Sequence, residues 1–442
     1  MTLALRLARQ GKSVTLFEAS PFLGGVASAW QLGDITWDRH YHVTLSSDTH
    51  LLSLLRELGL EKELCWNRAQ TGFYVDSRLH SLSNALEFLR FPPLTLPEKL
   101  RLAATILWAS RIPHSVEKLD KIPVEDWLNA WSGKGVTQKV WLPLLRAKLG
   151  DGYRGTSATF IWATIARMYS ARKSGAKTEH FGYVPGGYAR ILNAFEQLLS
   201  RSGVSFHLEQ PARAIRKLSG GELIIEFDSG QSKAFSHVVV TAAAPLASQI
   251  CPLLQETEHS RLRGIKYQGL ICASLLLRHP LSPFYITNIA DSRVPFTAVI
   301  EMSALVDRRQ FGGRSLVYLP KYVSSDSPDL ALPEAEIRES FLRALEQMHP
   351  RFSREDVACF QVSRVKYLLP IPTINSFANR PPFSTSVQGL YLVNSSQILD
   401  GTLNVNETVR LAESAARRFA EPQPAEHLAP GLLPHELVAT HS

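Results

Sequence analysis

The chain has 442 residues, of which 45% are hydrophobic and 20% are charged, so it can bury a large core and is not intrinsically disordered. Its formal net charge is +8. The basic residues are scattered, which argues against a nucleic-acid groove and suits anionic ligands or lipid surfaces. Four widely spaced cysteines predict reduced thiols in the cytoplasm rather than disulfides or a zinc site. No apolar run reaches the ~18 residues of a membrane-spanning helix.

The first segment of the chain predicts a helix followed by a short buried strand. Apolar residues recur through 2–10, Gly11 ends the predicted helix, and 13–17 is an apolar run typical of a parallel strand. Glu18 follows the strand. In a βαβ dinucleotide-binding unit, an acid at this place accepts hydrogen bonds from a ribose hydroxyl. An ordinary αβ unit with an unrelated acid would show the same pattern.

Two adjacent glycines, Gly24 and Gly25, follow Glu18 at the spacing E-x5-G-G. This pattern resembles the one after the second strand in FAD-dependent enzymes of the amine oxidase, protoporphyrinogen oxidase and phytoene desaturase superfamily. Glycines there let the backbone approach the cofactor phosphates. The resemblance implies FAD as the cofactor, with Glu18, Gly24 and Gly25 among its contacts. Phe22 and Val26 stand where the family commonly has arginines, so two usual partners of the pyrophosphate are missing.

The family's GxGxxG phosphate loop begins about 20 residues before the acid. Counting back from Glu18 places that loop upstream of Met1. We therefore expect the 442-residue form to bind FAD less tightly, and to fold less stably, than a form extended upstream by about 15 residues, the length of one strand and its turn.

The segment Asp38-Arg-His-Tyr-His resembles the family's turn close to the flavin ring. His40 and His42 are therefore candidate catalytic residues that contact flavin or substrate. A structural role for one histidine, or a metal site with Asp38, are the alternatives. Because no further ligand cluster accompanies them, we predict no metal. The turn also resembles the histidine turn of sugar-nucleotide mutases.

Residues 76–180 are predicted to be mostly helical, and 86–112 is their most lipophilic part. This segment predicts either a core helix or a helix that lies on a membrane surface beside the entrance for a lipophilic substrate. Lys148 follows a second apolar helical segment and is a third catalytic candidate. A lysine in an apolar flavin pocket can orient water or act as a base. A solvated surface lysine is the alternative.

The second half of the chain again resembles the family. Ala212 opens an element similar to the V-x-x-I element whose backbone meets the adenine. The apolar strand 389–393 is followed by Asn394 and Ser395, where the family usually has glycine and aspartate. Asn406 is predicted to be the N-cap of the last helix, whose N-terminus would point at the pyrimidine end of the flavin. The resemblance thus implies that Ala212, Asn394, Ser395 and Asn406 bind the cofactor.

These patterns predict an α/β fold, with a discontinuous, doubly wound (Rossmann-like) FAD-binding domain and an inserted α+β substrate domain. The FAD-binding domain is predicted at 1–75, 181–264 and 385–420, the substrate domain at 76–180 and 265–384, and a flexible tail at 421–442.

The resemblance implies an FAD-dependent oxidoreductase that transfers hydride or electrons from an organic small molecule to flavin, and the lipophilic segment 86–112 suggests that this substrate is apolar or amphiphilic. A non-redox flavin mutase, a degenerate non-catalytic scaffold protein and a nicotinamide-dependent dehydrogenase are the alternatives. The protein is expected in the cytoplasm, with peripheral contact at the inner face of the membrane through 86–112, and is not expected to bind nucleic acid.

Overall fold

The computed structural model describes residues 1–111, 116–170, 180–398 and 402–420. Within these ranges the chain forms both helices and strands along its whole length, which confirms the predicted α/β class. The predicted tail at 421–442 lies outside the described residues.

The described helices include a group in the region that was predicted to be mostly helical. In chain order the helices are α1 (Thr2–Arg9), α2 (Thr49–Glu57), α3 (Ala85–Leu89), α4 (Leu96–Arg111), α5 (Val116–Leu119), α6 (Val124–Trp131), α7 (Lys134–Val136), α8 (Leu142–Leu149), α9 (Ala158–Ser170), α10 (Gly187–Arg201), α11 (Ala244–Ile250), α12 (Glu256–Gly264), α13 (Glu334–Met348) and α14 (Val405–Ala420). The seven helices from α3 to α9 confirm the helical prediction for that region.

The described strands are spread over both halves of the chain. They are β1 (Thr15–Phe17), β2 (Ala29–Leu32), β3 (Ile35–Asp38), β4 (Cys65–Arg68), β5 (Thr71–Val75), β6 (Arg78–Ser81), β7 (His180–Tyr183), β8 (Ser205–His207), β9 (Ala212–Lys217), β10 (Leu223–Phe227), β11 (Ser232–Phe235), β12 (Val238–Val240), β13 (Tyr267–Leu277), β14 (Ile286–Ile289), β15 (Ala298–Glu301), β16 (Ser315–Ser324), β17 (Val357–Pro370) and β18 (Leu390–Leu392).

Two parallel strand pairs, β1 with β8 and β12 with β18, form the part of the fold predicted to bind a dinucleotide. Phe17 in β1 packs in the same apolar cluster as Leu390 and Leu392 in β18, so the two pairs share one core. Helix α1 packs against α14 beside this core. An ion pair of 2.9 Å between Arg6 and Glu413 joins the two helices.

A seven-stranded sheet of order β17-β13-β16-β15-β14-β5-β6 forms the largest element of the fold. All of β13 is buried, which places this strand at the centre of the molecule. Helix α13 covers one face of the sheet through Phe341 and Leu345. The β2–β3 hairpin covers the other face, where Trp37 packs with Tyr318 of β16. Strand β5, at the end of the first predicted FAD-binding segment, also belongs to this sheet. The domain boundary predicted at residue 75 stays a prediction.

A helical layer built from α4, α6, α8 and α9 packs beside the sheet around Trp127, Leu128 and Trp141. None of the described helices is both long and apolar enough to cross a bilayer. All four cysteines are free, as the sequence predicted.

Candidate active site

The Gly24–Gly25 pair forms a tight turn between β1 and β2, with φ values of +105° and +56°. A Cβ atom on Gly24 would lie 2.5 Å from Cδ1 of Leu192 in α10, whereas a Cβ atom on Gly25 would meet no atom within 4 Å. The turn therefore packs against α10 through Gly24 and leaves open space beside Gly25. Close approach of a ligand to the backbone needs such a space.

Glu18 and Ala212 lie at one corner of the first parallel pair. Glu18 directly follows β1, and its Oε1 accepts hydrogen bonds from the N–H and the hydroxyl of Ser20 at 2.9 and 2.7 Å. The N–H of Gln210 donates to the carbonyl of Glu18 at 2.9 Å. Ala212 begins β9 two residues later. The structure thus brings together the two residues predicted to hold the ribose and adenine.

His40 connects the glycine turn to the large sheet. Its Nδ1–H donates to the carbonyl of Val26 at 3.0 Å, and its Nε2 accepts from the hydroxyl of Ser363 in β17 at 2.8 Å. Burial lowers the pKa of His40 to about 4, so the ring is neutral at neutral pH. Because both nitrogens bond within the protein, His40 fixes the position of the turn, and its catalytic role stays a prediction.

His42 and Asp38 form a buried polar cluster with Tyr188. The Nδ1–H of His42 donates to the carbonyl of His40 at 3.0 Å and lies 3.9 Å from Oδ2 of Asp38. Oδ1 of Asp38 accepts the Tyr188 N–H at 2.6 Å. Burial raises the pKa of Asp38 to about 7 and lowers that of His42 to about 4. In the described part of the chain, no group of three or more metal-binding side chains occurs.

Lys148 lies behind the histidine turn. Its Nζ is 5.9 Å from the ring centroid of Phe160 and 5.7 Å from that of Tyr322 in β16. The hydroxyls of Tyr322 and Tyr41 are 2.9 Å apart, and Tyr41 separates the two histidines in sequence. The structure thus places Lys148 close to the turn through two tyrosines that the sequence analysis missed. Tyr41 stood inside the turn, but no sequence pattern connected Tyr322 to it.

Asn394 offers an unused donor at the end of β18. Its Oδ1 accepts from the N–H and the hydroxyl of Ser396 at 3.1 and 2.6 Å. Its Nδ2 is buried without a hydrogen-bond partner. Ser395 begins a single 3-10 turn directly after it. The Asn394 amide N–H therefore has room in its hydrogen bonding for one acceptor, such as a ligand oxygen.

The prediction that Asn406 is the N-cap of the last helix is wrong. Asn406 lies inside α14, and the side chain of Asn404 accepts the Glu407 N–H at 3.1 Å instead. Asn406 accepts the N–H groups of His50 and Leu51, at 2.9 and 3.1 Å, and so satisfies the start of α2. Its contact with the cofactor stays a prediction.

A cavity of about 220 Å³ opens beside the 3-10 turn at Ser395–Gln397. The apolar side chains of Ile265, Ile371 and Ile398 line it, together with Arg261 and Arg380. Polar side chains such as Ser376 and Asn379 complete the wall, so the cavity suits an amphiphilic molecule that carries a negative group.

The unpaired donors around the glycine turn and around Asn394 fit a phosphate-bearing cofactor. Ser28 Oγ, Trp30 Nε1 and Arg39 Nε are buried without a hydrogen-bond partner, as is Asn394 Nδ2. Strand β17 contacts both β2 and the 3-10 turn after Asn394, so the two sets of donors flank one strand. Buried donors without acceptors cost free energy, and phosphate and flavin ring oxygens are acceptors of the kind they lack.

Comparison with known protein families supports this fit. Residues 1–419 match the sequence profile of the flavin-containing amine oxidoreductases. The chain belongs to this family. The match covers the glycine turn, the histidine turn and the strand that precedes Asn394, and it confirms the family predicted from the sequence. No curated protein sequence shows significant similarity to this amine oxidoreductase.

Solved structures share the fold of this amine oxidoreductase over nearly its whole length. A protein from Exiguobacterium sp. 255-15 with a provisional assignment as a protoporphyrinogen oxidase has a TM-score of 0.74 at 18% identity, and the match covers 95% of this chain and 96% of that one. Reduced UDP-galactopyranose mutase has a TM-score of 0.71 at 14% identity, with 95% and 93% covered. A putrescine oxidase variant has a TM-score of 0.69 at 16% identity, with 95% and 96% covered. These likenesses confirm the fold.

Proposed function

We propose that this amine oxidoreductase binds FAD and transfers hydride or electrons from an organic substrate to the flavin. The observation that carries the proposal is the set of buried, unpartnered donors on Ser28, Trp30, Arg39 and Asn394 in a chain of this family. A bound flavin supplies the redox chemistry. The protein holds the cofactor, excludes water and positions the substrate.

The cofactor-binding residues have separate proposed tasks. Glu18 and Ala212 hold the adenosine end, because they share one corner beside β1. The phosphates lie against Gly25, where the backbone has open space. Asn394 and Ser395 contact the flavin end through the free amide and the first N–H groups of the 3-10 turn.

The substrate is proposed to be an apolar molecule with an acidic group. The cavity next to Ser395 supports this class, because three isoleucines line it and Arg261 and Arg380 add positive charge. His42 and Lys148 are the proposed candidates for moving a proton, since both belong to the cluster around the histidine turn.

An absorbance spectrum of the purified chain, incubated with FAD and freed of excess cofactor, tests the proposal. We expect flavin bands at roughly 375 and 450 nm. Reduction of a dye acceptor by an apolar carboxylic acid would support the oxidoreductase and its substrate class, and reduction by putrescine would overturn that class. A flavin that turns over substrate without consuming acceptor would indicate a mutase. A folded chain that takes up no flavin would overturn the whole proposal.

Helices α3 and α4 present an uncharged apolar surface to solvent. Its five leucines are between 42% and 63% exposed, and on α4 the members are spaced three or four residues apart, which places them on one side of the helix. We call this surface the leucine face, and its members are Leu86, Leu89, Leu96, Leu100, Ala104 and Leu107. Contiguous apolar patches of this kind mark contact sites.

Two exposed cations, Arg90 and Arg101, border the leucine face, and in the described residues neither is in an ion pair. The Arg101 guanidinium donates to the carbonyl of Trp131 at 3.1 Å, whereas Lys99 is buried and its Nζ donates to the carbonyl of Leu89 at 2.7 Å. Arg90 is exposed directly after Leu89. We propose that the leucine face lies on an anionic membrane surface, because apolar side chains bordered by cations are what such a surface binds.

Substitution of two leucines tests the membrane proposal. Leu96→Glu with Leu100→Glu is expected to reduce binding to phosphatidylglycerol-containing vesicles at least tenfold, because each buried leucine contributes about 1.5–3 kcal/mol. Leu218→Glu is the matched control, since Leu218 is exposed but far along the chain from the leucine face. Cosedimentation measures both. Equal binding of the double variant and the wild type would overturn the proposal that the leucine face binds the membrane.

A further inference from the structure

Arg39 is a half-buried cation beside the glycine turn. Its backbone N–H donates to the carbonyl of Ser28 at 3.0 Å, which fixes the end of β3 against this turn. The guanidinium carbon lies 4.8 Å from the ring centroid of Phe22 and 5.5 Å from that of Trp30. Both distances are within the range of cation–π contact. The two rings therefore hold the guanidinium in place next to Gly24 and Gly25.

The positive charge of Arg39 has no carboxylate partner in the described part of the chain. The three acids that precede Arg39 in the sequence are engaged elsewhere, beginning with Glu18, which accepts from Ser20, and Asp34, which is in an ion pair with Arg314. Asp38 accepts the N–H at the start of α10. Burial without a counter-charge lowers the pKa of Arg39, yet a guanidinium keeps its charge at neutral pH. A buried cation without a partner is costly unless an anion binds there.

The surroundings of Arg39 provide further donors for such an anion. Its own Nε is buried without a hydrogen-bond partner, and so are Ser28 Oγ and Trp30 Nε1 on the same hairpin. Gly25 leaves open space on the other side of the turn, and the first N–H groups of the 3-10 turn at Gly25–Ala27 have no acceptor within that turn. The backbone of the turn, a hydroxyl, an indole and a guanidinium thus all carry unpaired donors in the glycine turn and the hairpin that follows it.

We propose that Arg39 binds the pyrophosphate of FAD, and so replaces the arginines that are absent at Phe22 and Val26. This inference rests on the proposed FAD-binding function. Phe22 then supports a cation and does not supply one. Its ring packs against the Arg39 guanidinium, whereas an arginine at position 22 would itself carry the positive charge. A guanidinium can bind phosphate oxygens through two parallel hydrogen bonds.

Comparison of FAD with riboflavin, which has no phosphate, tests this role. Arg39→Gln is expected to weaken FAD binding about tenfold to a hundredfold, the effect of losing a charge-assisted hydrogen bond, and to leave riboflavin binding unchanged. Quenching of flavin fluorescence measures both affinities. Arg338→Gln is the matched control, because Arg338 also stacks on a ring, that of Phe360 at 5.2 Å, but belongs to α13.

A second variant separates phosphate binding from a structural role. Adding Val26→Arg to the Arg39→Gln chain is expected to restore FAD affinity, because it returns a cation to the turn. If Arg39→Gln binds FAD as tightly as the wild type, or loses riboflavin and FAD equally, the assignment of Arg39 is overturned while FAD binding stands. If the wild type binds neither flavin, the proposed function fails and this inference with it.

Discussion

Replacing Asp38 by alanine is expected to lower the free energy of unfolding by about 3 kcal/mol, because it leaves a buried donor unsatisfied and a cavity beside it. Oδ1 of Asp38 accepts the Tyr188 N–H at 2.6 Å, at the first turn of α10. The carboxyl group is packed tightly here, since a Cβ atom on Gly187 would lie 2.5 Å from the same oxygen. The hydroxyl of Tyr318 also donates to the Asp38 carbonyl. Asp38 therefore joins β3, α10 and the large sheet.

Urea denaturation followed by circular dichroism measures this effect. Asp38→Asn is the control, because the amide oxygen still accepts the Tyr188 N–H, and we expect it to lose less than half as much stability. A loss below about 1 kcal/mol for Asp38→Ala, the usual value of an ordinary hydrogen bond, would show that the joint does not depend on this carboxyl group.

Glu301 is expected to make part of the stability pH-dependent. The residue is fully buried in β15, where Oε2 accepts the Ser282 N–H at 2.9 Å and Oε1 accepts the Leu281 N–H at 3.2 Å. Burial outweighs these bonds and raises the pKa of Glu301 from 4.5 to about 7. The folded chain therefore keeps a proton that the unfolded chain releases. This contribution to stability is complete below pH 4.5 and is lost as the pH rises to about 7.

The difference in unfolding free energy between Glu301→Gln and the wild type isolates the contribution of Glu301, because glutamine does not titrate. We expect the unfolding free energy of the variant, relative to the wild type, to rise by about 3 kcal/mol between pH 4.5 and pH 7. Glu339→Gln is the control, since Arg354 and Arg343 lower the pKa of exposed Glu339 and its difference should stay level across this window. A level difference for Glu301→Gln as well would contradict an elevated pKa. The wild-type value must be subtracted because His40 and His42, whose pKa values are lowered, change the stability with pH in the direction opposite to Glu301.

Much of the fold could be predicted because its elements carry local patterns. Apolar periodicity located α1, the family resemblance located α14, and short apolar runs located β1 and β18. Strand β17 carried no such pattern, since charged residues such as Arg364 and Lys366 interrupt it while its neighbour β13 covers one edge. The pairing of the strands could not be predicted from the sequence either, because the partner of a strand depends on contacts between distant segments.

The candidate site shows the same division. The glycine pair and Asn394 were visible because spacing along the chain carries the family pattern. Asn406 was misread because its acceptor satisfies α2, which lies far away in sequence. Arg39 was passed over because an arginine in a polar turn looks solvated until the fold brings the Phe22 ring beneath it and leaves it without a carboxylate. Partners supplied by distant segments therefore decide roles that residue type alone does not.

The large sheet also has a consequence for how the chain is synthesised. Strand β5 pairs with β14 through Thr71 and Ile286, and a ribosome makes these residues about 10 to 40 s apart at 5–20 residues per second. Until β14 emerges, β5 has only the hairpin with β6, and a lone hairpin is marginally stable in water. Tyr74, buried in the finished protein among residues of 271–362, lacks these packing partners during that interval. Strand β5 of the nascent chain is therefore open to aggregation for about half of the time that synthesis takes.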